Sequence, residues 1–261
     1  MKKVLYGNNR GGRIWELDLI RGLCVLAMIF DHTIYDLRFV FDVGTPFVMG
    51  YFHWGVRTAV RIPVVLSFVM ISGISSSFSR SNLRRGLELA GVAAALTLAT
   101  ALLDKANGNG DEFLITFGVL HMLSASILLF YILRKFLTDR WIFLIGLTLA
   151  VIGIYYYIGG HQAEENWTWL GLIVQLKGAF YSADYFPLLP GAGFFLLGGV
   201  LGPVLYKEKR SYFDRIRNPR LSKPLLLAGR HALIVYLVHQ PVVLLILSIV
   251  FFLATSRPIT L

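Results

Sequence analysis

Four of the six histidines in this 261-residue chain, His32, His53, His121 and His239, lie inside apolar runs or at their edges. Imidazole exchanges protons near neutral pH, so a general base is the chemistry most available to these positions. Ionisable groups are costly in lipid and face a protein interior or a watery cavity instead, which makes them the first places to look for function. A single buried histidine often does no more than donate to a neighbouring carbonyl, and His121 and His239 each allow that reading. Four together are harder to assign to packing alone.

The spacing within the first apolar run adds to this. Asp18, Arg21 and His32 share one helical face, because 11 residues at 100° each return to within about 20° of the start and three residues span about 60°. Arg21 then sits near one end, with His32 roughly 16 Å further along. An Asp18–Arg21 ion pair is the plain structural alternative. The second run opens with His53, Trp54, Arg57 and Arg61 and closes with Ser72, Gly73, Ser75, Ser76 and Ser77. Arg57 and Arg61, four apart, share a face; they line a cavity, snorkel outward, or meet Asp31, Asp36 or Asp42. The small residues around Gly73 read as close helix packing before substrate contact. Arg230 and His231 open the last run as interface anchors or anion contacts.

Asp184 precedes Phe186-Pro187-Leu188-Leu189-Pro190. Two prolines predict a bent entrance to the next helix, where Asp184 orients an imidazole, pairs with Arg57, or caps free N–H groups. Other chemistries lack their residues. There is no Walker-type phosphate loop, His-Glu-x-x-His or Gly-x-Ser-x-Gly. The one cysteine, Cys24, forms no internal disulfide or Cys-rich metal site, and no metal is expected.

The elements that carry these residues are set by composition. With 56% hydrophobic and 15% charged residues, the chain is a polytopic membrane protein rather than a soluble domain. Apolar runs near 15–37, 56–78, 84–103, 114–134, 141–159, 186–206 and 225–253 predict an all-α transmembrane bundle of about seven spans, read as one domain over 1–261. Trp167–Phe180 is apolar but short and is expected to lie on the outer surface or re-enter. Lys2, Lys3, Arg10 and Arg13 precede the first run, which contains Glu16, Asp18 and Arg21 and lacks a small-residue cleavage site, so it is expected to be retained. The net charge of +10 reports topology and not nucleic-acid binding, since Lys and Arg sit in short segments between apolar runs. Arg80, Arg84 and Arg85, then Arg134, Lys135 and Arg140, then the run Lys207 to Lys223, fall in alternate loops and assign those loops and the N-terminus to the cytoplasm. Asp104 to Glu112 and His161 to Asn166 face out.

Taken in order, Glu16-Leu17-Asp18-Leu19-Ile20-Arg21-Gly22-Leu23 with Met28 and His32, then Ser72-Gly73-Ile74-Ser75, Phe117-Gly118-Val119-Leu120-His121, Asp184 to Pro190, and Gly229 to Gln240 resemble the heparan-alpha-glucosaminide N-acetyltransferase catalytic-domain family of bacterial membrane proteins. The similarity runs through nearly the whole chain. Arg21 and His32, with ten residues between them, also resemble the arginine-to-histidine motif of membrane acyltransferases that O-acetylate surface polysaccharides. In the lysosomal enzyme of the first family an asparagine stands at the place of His32, and the active histidine precedes a tryptophan, as His53-Trp54 does here.

The resemblance implies transfer of an acetyl group from cytoplasmic acetyl-CoA to an amine or hydroxyl of an extracytoplasmic sugar or similar polar acceptor, in the plasma membrane of a bacterium. His32 or His53 is then the base. Arg21, Arg57, Arg61, Arg84 and Arg85 are the candidate contacts to CoA phosphates, and Asp31, Asp184, His121, His239 and Ser72 the supporting groups. Transfer is direct in a ternary complex, or passes through an acetyl-histidine. The competing readings are a small transporter or channel with a His/Arg/Asp path, and a non-catalytic membrane partner, in which the polar groups only fix packing. The partners expected are the bilayer, acyl-CoA and a glycan or other small polar acceptor, with no nucleic acid, and the sequence is compatible with an oligomer.

Overall fold

The computed structural model describes residues 14–53, 55–108, 113–162, 165–178, 182–212 and 219–255. Lys2, Lys3, Arg10, Arg13 and Trp54 lie outside the described residues, as do parts of the loops weighed for charge and the end of the 167–180 stretch. Among the described residues the chain forms nine α-helices and no strand: α1 (Trp15–Phe39), α2 (Pro46–Phe52), α3 (Val56–Ser77), α4 (Asn82–Asn107), α5 (Val119–Phe136), α6 (Asp139–Gly159), α7 (Gly191–Leu205), α8 (Pro219–Arg230) and α9 (Ala232–Thr255).

A helical membrane bundle is what the hydropathy predicts, but the number of spans is about five rather than seven. Five helices, α3, α4, α5, α6 and α9, are long and apolar enough to cross a bilayer. Helix α1 has the length, at 25 residues, but Glu16, Asp18, Arg21, Asp31, Asp36 and Arg38 leave no window of it as apolar as a lipid-exposed span. Its carboxylates point into protein: Glu16, Asp18, Asp31 and Asp36 are all buried. Helix α7 has only 15 residues, about 22 Å against a hydrocarbon core of roughly 30 Å. Residues 186–190, counted into that run by hydropathy, instead form an irregular entrance. The run at 225–253 is two helices, broken between Arg230 and Ala232.

Two compact units divide the chain: Met1–Phe68 with Lys209–Leu261, and Val69–Glu208. In the first, α1 packs along α8 and α9 and touches α2. The α1–α8 approach is close because two glycines face backbone: Gly22 sits against the carbonyl of Leu225 and Gly229 against that of Asp18, with no room for a Cβ at either. Helix α2 begins at Pro46, its first turn capped by the Thr45 hydroxyl accepting from the Val48 N–H. It closes over Ile34 with Val48 and Tyr51.

In the second unit, α4 packs on α5 and α6 on α7. Helix α7 is glycine-rich for the same reason as the α1–α8 crossing. Gly193 meets the backbone of α6 at Gly146 and Ala150, Gly198 meets the Met70 carbonyl of α3, and Gly73 of α3 meets the Phe195 carbonyl in return. The small residues around Gly73 therefore serve close packing. Met122, Phe130, Ile142, Phe195 and Leu196 fill the interior of this unit. The 167–178 stretch carries a 3-10 turn over Glu165–Leu172, and its Val174 and Leu176 pack with Leu189 and Ala192.

Candidate active site

Two of the candidate histidines, one on α1 and one on α9, meet within the first unit. The rings of His32 and His239 meet edge to face, with centroids 4.8 Å apart and planes at 74°. Each Nδ1 lies on a carbonyl of its own helix, His32 at 2.9 Å from Met28 O and His239 at 2.6 Å from Tyr236 O. A carbonyl can only accept, so each Nδ1 carries the proton, and in a neutral ring the lone pair is then on Nε2. His32 is half-buried, and His239 is buried at 9% exposure.

The residues around the pair hold it in place. Asp36, one turn beyond His32, is buried at 1% exposure and accepts two hydrogen bonds from the Gln240 amide, at 3.0 and 3.1 Å. That bond ties α1 to α9 beside the two rings. Preceding His32, Asp31 receives a bidentate ion pair from Arg57, Nε to Oδ1 at 2.8 Å and Nη2 to Oδ2 at 2.9 Å. The Tyr51 hydroxyl donates to the same carboxylate at 3.0 Å. Burial first, and then the charge and hydrogen bond of Asp31, push the Tyr51 phenol on the short α2 up to about 12, so it stays a donor. The Arg57 guanidinium also lies over the rings of Tyr35 and Phe52, at 5.1 and 5.3 Å.

Further along α1, Arg21 contacts Asp18 at 3.2 Å, and Arg230 at the end of α8 approaches the other Asp18 oxygen at 3.6 Å. The anion that Arg230 meets is thus Asp18. Glu16 accepts from the Ser211 hydroxyl at 2.6 Å and from the Tyr212 N–H at 2.7 Å. All four buried carboxylates of α1 are matched by donors within their own unit.

His53 is the C-cap of α2 and is exposed, its backbone N–H donating to Met49 O at 3.1 Å and its ring making no hydrogen bond with the described residues. Arg61 is exposed as well. At the start of α4, Arg84 pairs with Glu88 at 2.7 Å on the surface, and Arg85 is exposed beside it. Ser72 is half-buried in α3.

His121 and Asp184 come together in the second unit, at the start of α5. The Gly118 N–H donates to His121 Nδ1 at 3.2 Å, so that nitrogen holds the lone pair and Nε2 the proton, which goes to Thr97 Oγ1 at 3.2 Å. The Thr97 hydroxyl passes its own proton to Ile115 O at 2.7 Å. Both ring nitrogens are committed. Asp184 accepts from the Val119 N–H at 3.2 Å. It does cap a helix, but the helix is α5, brought to it by folding, and not the α7 that follows it in sequence. Among the described residues no cluster of three His, Cys, Asp or Glu has metal-ligand geometry.

Residues 13–241 match the family described as heparan-alpha-glucosaminide N-acetyltransferase, catalytic. The chain belongs to that family. The match spans both units, from the start of α1 to the residue after Gln240, so the His32–His239 group and the α5 group both fall within it. Membership, together with the apolar helices, makes this an integral membrane protein of the acetyltransferase class, and the family implies the use of acetyl-CoA in general terms. No curated protein and no solved structure matches the chain.

Sequence reasoning reached His32 and His239 separately but missed what joins them. The sequence offers Asp36 only as a partner for Arg57 or Arg61, although its position four residues after His32 puts it on the same face of α1. Gln240 carries no signal of its own beyond standing next to His239.

Proposed function

We propose that this chain transfers an acetyl group from acetyl-CoA to an amine or hydroxyl of an extracytoplasmic sugar or similar polar acceptor, with His32 as the general base, in the plasma membrane of a bacterium. The observation that carries the reading is the Nδ1 hydrogen bond of His32 to Met28 O, which leaves the Nε2 lone pair as the proton acceptor. His53 has no comparable orienting bond, and His121 has no nitrogen to spare.

Acetyl-CoA supplies a thioester carbonyl. His32 Nε2 takes the proton from the acceptor N–H or O–H as the acceptor's nitrogen or oxygen bonds to that carbonyl carbon. The C–S bond breaks, the sulfur leaves as thiolate, and the His32 imidazolium returns the proton to it. Atoms and charge balance without a covalent enzyme intermediate. The edge contact with His239 restricts the His32 ring, and the Asp36–Gln240 bond holds α1 against α9. Arg21 and Arg230, both drawn to Asp18, lie on the α1 face that leads to His32, about 16 Å from Arg21 along the axis, and suit CoA phosphates. Arg57 is engaged with Asp31 and acts in this reading by fixing α3 to α1 within their unit.

The test is thioester loss from acetyl-CoA by purified protein in detergent, with an amino sugar and a neutral sugar as acceptors. His32→Ala and His53→Ala are compared with the parent. Binding of acetyl-CoA by all three, with turnover lost only in His32→Ala, is the expected result. Loss only in His53→Ala moves the base to His53. A folded parent that binds no acyl-CoA removes the proposal.

A further inference from the structure

A second polar site lies in the other unit, at the start of α4 beside Arg84 and Arg85. The end of α3, its connection to α4 and the last turns of α5 enclose a cleft of about 210 Å³. Three cations line it, Arg80, Arg134 and Lys135, with the hydroxyls of Ser77 and Ser79 and the amide of Asn82 between them. One carboxylate answers these charges among the described residues: Arg134 contacts Asp139 at 3.2 Å on the surface. Arg80 has no carboxylate within ion-pair distance among the described residues, and Lys135 rests 4.6 Å over the ring of Tyr131, which also lines the cleft. Three positive charges against one negative leave the cleft with an excess of cation.

The hydrogen-bonding groups point the same way. Ser77 spends its proton on Ile74 O at 2.6 Å and Asn82 donates to Ser76 O at 2.9 Å, which fixes both side chains. Ser79 Oγ accepts from the Ser81 N–H, leaving its own proton as a donor. Helix α4, 26 residues long, starts here at Asn82 with no side chain capping its first N–H groups, so its positive end adds to the field. The arrangement suits a phosphate oxygen and repels a cation.

We propose that this cleft binds the phosphodiester headgroup of an anionic phospholipid. The cations stand at the ends of helices whose neighbouring side chains are lipid-facing: Leu83 and Leu87 on α4 and Ile132 and Phe136 on α5 are exposed, Phe136 at 78%. A headgroup in the cleft therefore places its acyl chains along Phe136 and Ile132, on apolar surface that a soluble phosphate would leave uncovered. All of the loops concerned belong to the Lys/Arg-rich set that the charge pattern assigns to the cytoplasm, where anionic lipid is met.

The experiment uses the full chain in nanodiscs of phosphatidylcholine, with or without a minor fraction of phosphatidylglycerol. Retained lipid is counted by native mass spectrometry after gentle detergent release. The parent is expected to retain phosphatidylglycerol at least tenfold over phosphatidylcholine, three basic side chains being enough for that preference. Arg80→Gln/Arg134→Gln/Lys135→Gln is expected to lose it. A charge-matched control, Arg140→Gln/Lys207→Gln/Lys223→Gln, keeps it, with elution and thermal unfolding confirming that both variants are folded. Equal loss in both triple variants reduces the effect to general charge and overturns the proposal. So does a parent without preference. Displacement of the lipid by submillimolar inorganic phosphate or CoA assigns the cleft to soluble phosphates and overturns the lipid assignment.

Discussion

His32 on α1 and His239 on α9 stand more than 200 residues apart in sequence, yet their rings touch edge to face at 4.8 Å with Nδ1 of each on a carbonyl of its own helix. In the proposed reaction one ring accepts a proton and the other sets its orientation. His239→Phe keeps an aromatic edge against His32 but removes both ring nitrogens, and with them the bond to Tyr236 O. We expect the fold to persist and kcat for acetyl transfer to fall by roughly tenfold or more, with KM for acetyl-CoA nearly unchanged. Steady-state kinetics on the purified variant measures the split, and a change in KM alone would assign His239 to donor binding.

The proposed chemistry also fixes the sign of the pH dependence. A general base must be neutral, so an imidazole base requires that the rate not rise on acidification. Tyr51, held up at about 12, stays protonated across this range and adds no alkaline limb. Rates measured between about pH 5 and 9 check this, and an activity that rises on acidification is incompatible with a neutral imidazole base.

The α1–Arg57 ion pair offers a stability test. Asp31 and Arg57 are joined by two hydrogen bonds, with side-chain exposures of 11% and 27%. Asp31→Ala leaves a largely covered guanidinium without its carboxylate, a loss of about 2–4 kcal/mol. Removing both partners in Asp31→Ala/Arg57→Met costs less than the sum, because no charge is stranded. Thermal unfolding in detergent of the two single variants and the double reads the coupling, and strict additivity would mean that the pair contributes little in the folded state.

Part of this site is legible without coordinates and part is not, for physical reasons. Asp18, Arg21 and His32 repeat on one helical face, and periodicity is local, so their alignment can be calculated. Their partners cannot, because Arg230 and His239 reach α1 only after the chain has passed through the whole of the second unit. Hydropathy places the apolar helices but overcounts them. It averages the buried carboxylates of α1 into an apolar background, and it runs past Pro190 into residues that form no helix. Asp184 shows the same limit: a capping residue is recognisable by type, but which helix it caps is a tertiary matter.

The helix crossing that carries the Asp18 cluster rests on two glycines. A Cβ at Gly22 would collide with the Leu225 carbonyl, and one at Gly229 with the carbonyl of Asp18 itself. Backbone cannot yield as a side chain does, so Gly22→Ala and Gly229→Ala each force α1 and α8 apart, at a cost of about 1–3 kcal/mol or more. Moving the helices also lengthens the 3.6 Å approach of Arg230 to Asp18. Weaker acetyl-CoA binding is then expected together with a lowered unfolding temperature. Gly44→Ala, at a position with open space around it, serves as the control and should change neither.

The last test concerns the second unit. Asp184 and His121 each satisfy a backbone N–H at the start of α5, Val119 by the carboxylate and Gly118 by the imidazole. Asp184→Ala leaves the Val119 N–H without its acceptor and should cost about 1 kcal/mol, whereas Asp184→Asn keeps an acceptor and should cost a few tenths. His121→Ala also breaks the link to Thr97, which ties α5 to α4. Because Gly118 and Val119 are consecutive, removing both acceptors frays one turn once rather than twice, and the double variant should lose less than the sum of the two. Hydrogen exchange at the α5 amides, read with thermal unfolding, separates this from a general loosening. Protection lost at residues 118–122 alone supports local capping, while uniform loss across the unit would mean that the two side chains hold the helices together.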